Sequence, residues 1–195
     1  MKRRKSRLPG IDPFGVVAVQ TPPMALTLWL LRHFSAVEDP PQGGRDRDRR
    51  LSPRGLRSAE RLSDTLHGDT VPGPLPTLAL VSPAVRTQQS AAGAFGALTT
   101  PPRQLTDARL YHATPDDVLA ILRELPDDDE VVCVVGHNPT IHCLSLDLVS
   151  ELTLAGPHPA LNSYPPGTLS VVSLPIESWS KASFGEGSLL ELRAS

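Results

Sequence analysis

The chain has 195 residues, 39% of them hydrophobic and 21% charged, with a formal net charge of −2. That length and apolar content suit one globular domain with a core of its own and require no second domain. The near-neutral balance leaves no overall electrostatic case for nucleic acid or a membrane surface as partner.

The start is locally basic: Lys2, Arg3, Arg4, Lys5 and Arg7 face only Asp12 among the first 24 residues. A basic start can open a signal peptide, but Pro9, Asp12, Pro13, Pro22 and Pro23 interrupt residues 8–23 and leave no apolar run of sufficient length. Residues 1–23 therefore read as a disordered arm, or as the product of a start codon placed too early, with Met24 opening a single domain over 24–195. Cys133 and Cys143 make neither a disulfide framework nor a metal spacing, which fits a reducing cytoplasm.

Ala25 to His33 reads Ala-Leu-Thr-Leu-Trp-Leu-Leu-Arg-His. Its seven almost wholly apolar residues predict a strand buried on both faces, the kind found inside a parallel sheet. Arg32 and His33 then fall at its carboxyl end, where open parallel sheets bind ligands. A polar loop rich in Pro, Gly and Arg follows, from Phe34 to Leu51. Ser52 and Pro53 predict a helix cap and first position, with Leu56, Ala59, Leu62 and Leu66 on one face and Gly68 at the end.

Leu78 to Val81 predicts a second short strand, and Ser82-Pro83 repeats the cap-then-proline signal ahead of a helix with Arg86 in its first turn. A third strand is expected within Gln104–Leu110. Thr114-Pro115 opens a further helix, with Asp116 and Asp117 near the positive end of its dipole. The acidic run Asp127–Glu130 reads as a solvated turn. Val131 to Val135 is again strongly apolar and again runs into a histidine, His137, after which Asn138 and Pro139 read as cap and first position of a helix. Residues 152–167 look irregular, and Thr168–Leu174 and Leu189–Leu192 look like closing strands. Strands alternating with helices predict an α/β layer structure with a mostly parallel sheet.

Arg32 and His33, Arg86, and His137 all stand where a strand turns towards a helix. If their strands are neighbours, two guanidiniums and two imidazoles converge with helix N-termini on one point. Bidentate guanidiniums and free backbone N–H groups suit a phosphoryl group. A histidine among them is a natural nucleophile, because imidazole can attack phosphorus and hold it as a phosphoramidate. The arginines disfavour imidazolium and so favour the neutral form.

Three motifs, Leu31-Arg32-His33, Ser82-Pro83-Ala84-Val85-Arg86-Thr87 and Val135-Gly136-His137-Asn138-Pro139, resemble those of the histidine phosphatase superfamily. Asp46 to Gly55 and Arg109 to Ala113 resemble segments of its short SixA-type phosphohistidine phosphatases, so the likeness runs in order from about Leu28 to Leu174. The resemblance implies a three-layer α/β/α sandwich of the phosphoglycerate mutase-like type. It also implies His33 as the phosphorylated nucleophile, and Arg32, Arg86 and His137 as clamps on the phosphoryl oxygens. Water then hydrolyses phospho-His33, with no metal or organic cofactor. The implied partner is a phosphorylated substrate, foremost a histidine-phosphorylated protein. A small phosphomonoester is the alternative substrate, and a phospho-ligand binding module without turnover is the alternative class.

Two departures stand out. Phe34 replaces the family's usual small residue after the nucleophile, so a bulky ring is expected to narrow or reshape the pocket. No residue is evident as the carboxylate proton donor of the mutase-like members. Asp46, Asp48, Asp107 and His112 are candidates, and Asp107 and His112 are also expected to contact substrate. A missing acid matters less for a phosphoramidate, whose imidazole leaves more readily than an alkoxide. His137 and His142, five apart, do not share a helix face and predict no metal site. His67, His142 and His158 read as structural, Tyr111 as either packing or substrate contact, and the Arg45, Arg47, Arg49 and Arg50 cluster as an exposed loop balanced by Asp46 and Asp48.

Overall fold

A computed structural model describes residues 25–67, 73–151 and 160–194. The proposed basic arm, Gly68 and His158 lie outside the described residues. Among the described residues seven strands form one sheet in the order β3-β2-β4-β1-β6-β7-β5. They are β1 (Leu26–Arg32), β2 (Leu78–Val81), β3 (Arg103–Thr106), β4 (Val131–Gly136), β5 (Val149–Glu151), β6 (Leu169–Leu174) and β7 (Gly187–Arg193). β3, β2, β4 and β1 are mutually parallel, β6 is antiparallel to both β1 and β7, and β7 runs parallel to β5.

The helices are α1 (Pro53–Leu66), α2 (Val85–Phe95), α3 (Pro115–Arg123), α4 (Thr140–Asp147) and the short α5 (Ala160–Ser163). Side chains of β1 point alternately to the two faces of the sheet, as the period of a strand dictates. Trp29 and Leu31 pack with Ala59, Leu62 and Leu66 of α1 and Ala91 and Phe95 of α2. Leu28 and Leu30 join the opposite cluster, with Val118 and Leu122 of α3 and Ile141 and Leu144 of α4. The result is a three-layer α/β/α sandwich about a mostly parallel sheet. It explains why β1 is apolar on successive residues from Leu28 to Leu31 instead of alternating.

The same arrangement creates a crevice. The chain leaves β1 and β2 into helices on one face, but leaves β4, which lies between them, into a helix on the other. Neighbouring strands whose connections depart to opposite faces open a gap at their carboxyl ends. Register places Arg32 beside Gly136 and Val81 beside Val135, so all three strands end at this gap.

Several boundaries differ from expectation. Leu56 is exposed, and Gly55 takes its place towards the core. A Cβ on Gly55 would lie 2.1 Å from the Ser35 carbonyl oxygen, so only glycine lets the loop after β1 dock on the start of α1. Ser52 caps that helix through the Gly55 N–H at 3.1 Å, as expected. Thr114 likewise caps α3, in a reciprocal capping box with Asp117. The third strand ends at Thr106, because Asp107 accepts the Arg109 N–H and starts a 3-10 turn over Ala108–Tyr111. The acidic run is not wholly solvated: Asp129 is buried, accepts from Thr77 and Arg103, and its carbonyl takes the Trp179 indole N–H. β5 and α5 carry too few residues to show a pattern.

Candidate active site

The gap at the strand ends is a cleft of about 590 Å³, lined among others by Arg32, His33, Asp46, Arg49, Arg86 and His137. His33 and His137 meet edge to face, with ring centroids 5.3 Å apart. Each reaches the cleft from the end of a parallel strand, which is why residues 104 apart in sequence share a wall.

The tautomer of His33 follows from its neighbour. Nδ1 lies 2.7 Å from the Phe34 carbonyl oxygen, which can only accept, so Nδ1 carries the proton and Nε2 keeps its lone pair. Burial, reinforced by Arg86, Arg32 and Arg49, lowers the His33 pKa to about 4 against the opposing pull of the Phe34 carbonyl. His137 falls to about 3, chiefly through burial, then through His33 and Arg86. Both imidazoles are therefore neutral at pH 7. His137 Nε2 and the Ser82 hydroxyl share a hydrogen bond of 2.8 Å.

The arginines are held by oxygen acceptors. Arg32 donates to the Tyr164 carbonyl at 2.6 Å. Tyr164 has a φ of +41°, in the left-handed region, and its hydroxyl is anchored on Ser170 at 2.7 Å and on the Leu30 carbonyl at 3.1 Å. Arg86 is almost fully buried and donates twice to Asp46, to its carbonyl at 2.8 Å and its carboxylate at 3.0 Å. Asp46 also accepts from Tyr111 Oη at 2.6 Å and from Arg49 Nε at 2.8 Å. Tyr111 foremost, with Arg49 and Arg86 adding to it, holds the Asp46 carboxyl far below the usual carboxylate range against the opposing effect of burial. Nε of Arg32, Nε of Arg86 and Nδ1 of His137 are buried without a hydrogen-bond partner among the described residues. Unpaired groups at this density cost stability and are tolerated where a site is shaped for a ligand.

Arg32, His33, Arg86 and His137 come together as the motifs predict, and His112 lines the same cleft. Asp107 does not: its carboxylate is paired with Arg109, which also bridges Glu124 at 2.8 Å. Phe34 is also absent from the lining. Its ring is fully buried in the core beneath α1 and α2, and its N–H donates to Ser90 Oγ at 3.0 Å, so the bulky residue packs the core and does not narrow the pocket.

Ser82 and Asn138 do not cap their helices. Ala84 and Pro139 occupy the cap positions, while the Ser82 hydroxyl serves His137 and the Asn138 amide donates to the Tyr164 carbonyl at 3.3 Å. Asp46 was legible only as a candidate acid and Arg49 only as part of a loop cluster. The part played by Tyr164 carries no local signal at all, because it acts through its backbone carbonyl.

The described residues contain no helix long and apolar enough to cross a membrane and no cluster of metal-ligating side chains. No protein-family model matches the chain. The uncharacterised protein Rv1276c of Mycobacterium tuberculosis is 34% identical over 120 residues, covering 62% of this chain and 70% of the relative. The uncharacterised protein ML1117 of Mycobacterium leprae is 32% identical over 108 residues, or 55% of this chain and 63% of that protein. A solved structure of a candidate phosphohistidine phosphatase SixA from Nakamurella multipartitia superposes with a TM-score of 0.74 at 28% identity, over 89% of this chain and 98% of the other. The corresponding structure from Agrobacterium tumefaciens gives 0.66 at 25% identity, over 87% and 99%. The protein histidine phosphatase SixA in complex with tungstate shares the fold, with a TM-score of 0.63 at 22% identity over 86% and 96% of the two chains.

Proposed function

The chain belongs to the histidine phosphatase superfamily, and we propose that it is a metal-independent phosphatase whose nucleophile is His33 and whose substrate is phosphohistidine on a protein. One observation carries the reading. The Phe34 carbonyl fixes the proton of His33 on Nδ1, which leaves the Nε2 lone pair in a cleft walled by three arginines.

In the first step His33 Nε2 attacks phosphorus, the P–N bond to the substrate imidazole breaks, and the departing nitrogen takes a proton from solvent. In the second, water attacks phospho-His33, the P–Nε2 bond breaks, and phosphate leaves with His33 restored. Arg32 and Arg86 offset the charge on the phosphoryl oxygens in both steps, and their guanidiniums, pre-oriented by the Tyr164 carbonyl and by Asp46, need little reorganisation to do so. Neutral His137 contributes a dipole beside them. With its Nε2 engaged by the Ser82 hydroxyl and its pKa lowered by burial, it does not compete for the nucleophile's proton.

Asp46 bears on the substrate. It is the one carboxylate among the described residues that line the cleft, and its three partners keep it ionised. An ionised carboxylate cannot protonate a leaving group, so an alkoxide would depart unaided, whereas an imidazole departs readily. The solved SixA-type structures, themselves described as candidate phosphohistidine phosphatases, support the same substrate class.

The experiment is phosphate release from a histidine-phosphorylated carrier protein, run beside p-nitrophenyl phosphate, with His33→Ala as control. Release from the carrier that disappears in the variant supports the proposal. Turnover of the ester alone assigns the site to small phosphomonoesters, and inertness of the folded protein on both assigns it to phospho-ligand binding.

A further inference from the structure

A second groove of about 350 Å³ opens beside the cleft, and Tyr111, His112, His137 and Asn138 line both. It runs on past Thr114 and Pro115 at the start of α3 and ends between Pro139, Thr140 and Cys143 on α4. Its bed is tied together, since the Thr140 hydroxyl donates to the Ala113 carbonyl and joins the loop before α3 to the first turn of α4.

The two spaces differ in charge. The cleft is lined by three arginines and one aspartate, whereas the groove holds no arginine, lysine, aspartate or glutamate. A phosphorylated substrate divides the same way, into a dianionic phosphoryl group and the uncharged remainder behind the bond that breaks. The phosphoryl group belongs with the arginines, so the remainder points along the neutral groove. The groove begins within one ring of the nucleophile, since the His137 ring that lines it lies 5.3 Å from the His33 centroid and 5.5 Å from that of Tyr111.

We infer that this groove is the seat of the polypeptide that flanks the phosphohistidine, accepting a segment whose residues beside the histidine are uncharged. The inference rests on the phosphohistidine reading above, which supplies the substrate, but it concerns a separate surface. Phosphohistidine without flanking chain leaves the groove empty.

Cys143 supplies the test, since it is partly exposed in the groove while Cys133 is buried. The folded protein is alkylated with N-ethylmaleimide, with the Cys143→Ser protein as the check that the reagent acts at this thiol. The enzyme is assayed on a short peptide carrying one phosphohistidine and on N-acetyl-phosphohistidine, which has the same scissile bond and no flanking chain. Filling the groove lowers the ratio of the two kcat/KM values by about tenfold, the scale of a blocked contact patch. Cys143→Trp, made independently, gives the same fall without a reagent. An unchanged ratio in the fully alkylated protein and in Cys143→Trp overturns the inference. Failure of the unmodified enzyme on both phosphoramidates, with p-nitrophenyl phosphate still hydrolysed, overturns the phosphohistidine reading and the groove with it. That result is recognisable because it precedes any modification.

Discussion

Asp46 and Arg86 are joined twice, by the Asp46 carbonyl at 2.8 Å and by its carboxylate at 3.0 Å. The pair links the loop after β1 to the helix after β2, and Tyr111, from the loop before α3, closes on the same carboxylate. Three connections that leave the sheet at different places are thus set against one another by a single anion. Asp46 is a positioning residue: it sets the reach of Arg86 and Tyr111 into the cleft.

Asp46→Ala should therefore lower kcat/KM for p-nitrophenyl phosphate roughly tenfold to a hundredfold, the scale of a displaced catalytic group. Asp46→Asn, which keeps one side-chain acceptor for Arg86, should lose less. Steady-state kinetics of the two variants check this, and equal losses would show that charge and not position matters.

Arg86→Lys tests the same geometry from the other side. A lysine keeps the charge but not the two-armed guanidinium that spans the Asp46 carbonyl and carboxylate. A fall of more than about tenfold in kcat/KM with the fold retained is the expected outcome, read by kinetics alongside circular dichroism.

Phe34 predicts a stability effect. The ring is fully buried between β1 and the α1–α2 layer, so Phe34→Ala should cost about 3–5 kcal/mol of unfolding free energy, measured by urea titration. If the ring instead shaped the pocket, the main change would be in KM for small esters.

Acid dependence follows from the two imidazoles. Protonation of His33 removes the Nε2 lone pair, so kcat/KM should fall as pH drops through about 4, once the substrate's own titration is allowed for. Stability follows the same sign. With folded values of about 4 and about 3 against an ordinary 6.5, the unfolded chain binds protons that the folded chain refuses, and stability declines as pH falls from about 6.5 towards 4. Thermal melts between pH 7 and pH 4 should show a shallower decline in the His33→Asn, His137→Asn double variant than in the wild type.

Much of the fold could be read in advance wherever burial dictates residue type. Leu28–Leu31 and Val131–Val135 are apolar on successive residues because helices cover both faces, and the Thr114–Asp117 box declares its helix from four residues. The site was legible to the extent that Arg32, His33, Arg86 and His137 stand at strand ends in order. Long-range pairing hid the rest. Ser82 and Asn138 look like caps until their side chains turn to His137 and to the Tyr164 carbonyl, contacts across 55 and 26 residues. Asp46 looks like a free acid until Arg86 and Tyr111, 40 and 65 residues away, close on it. Phe34 looks like an obstruction because one sequence position cannot show that the ring turns inward.

The central claim, that His33 carries the phosphoryl group, is tested most directly by trapping it. The enzyme is mixed with a 32P-labelled phosphohistidine protein, quenched in alkaline denaturant and mapped by proteolysis and mass spectrometry. The account predicts acid-labile, base-stable label on the peptide containing His33, and none in His33→Ala. Phosphate release by His33→Ala at the wild-type rate, or label on a different residue, would contradict it.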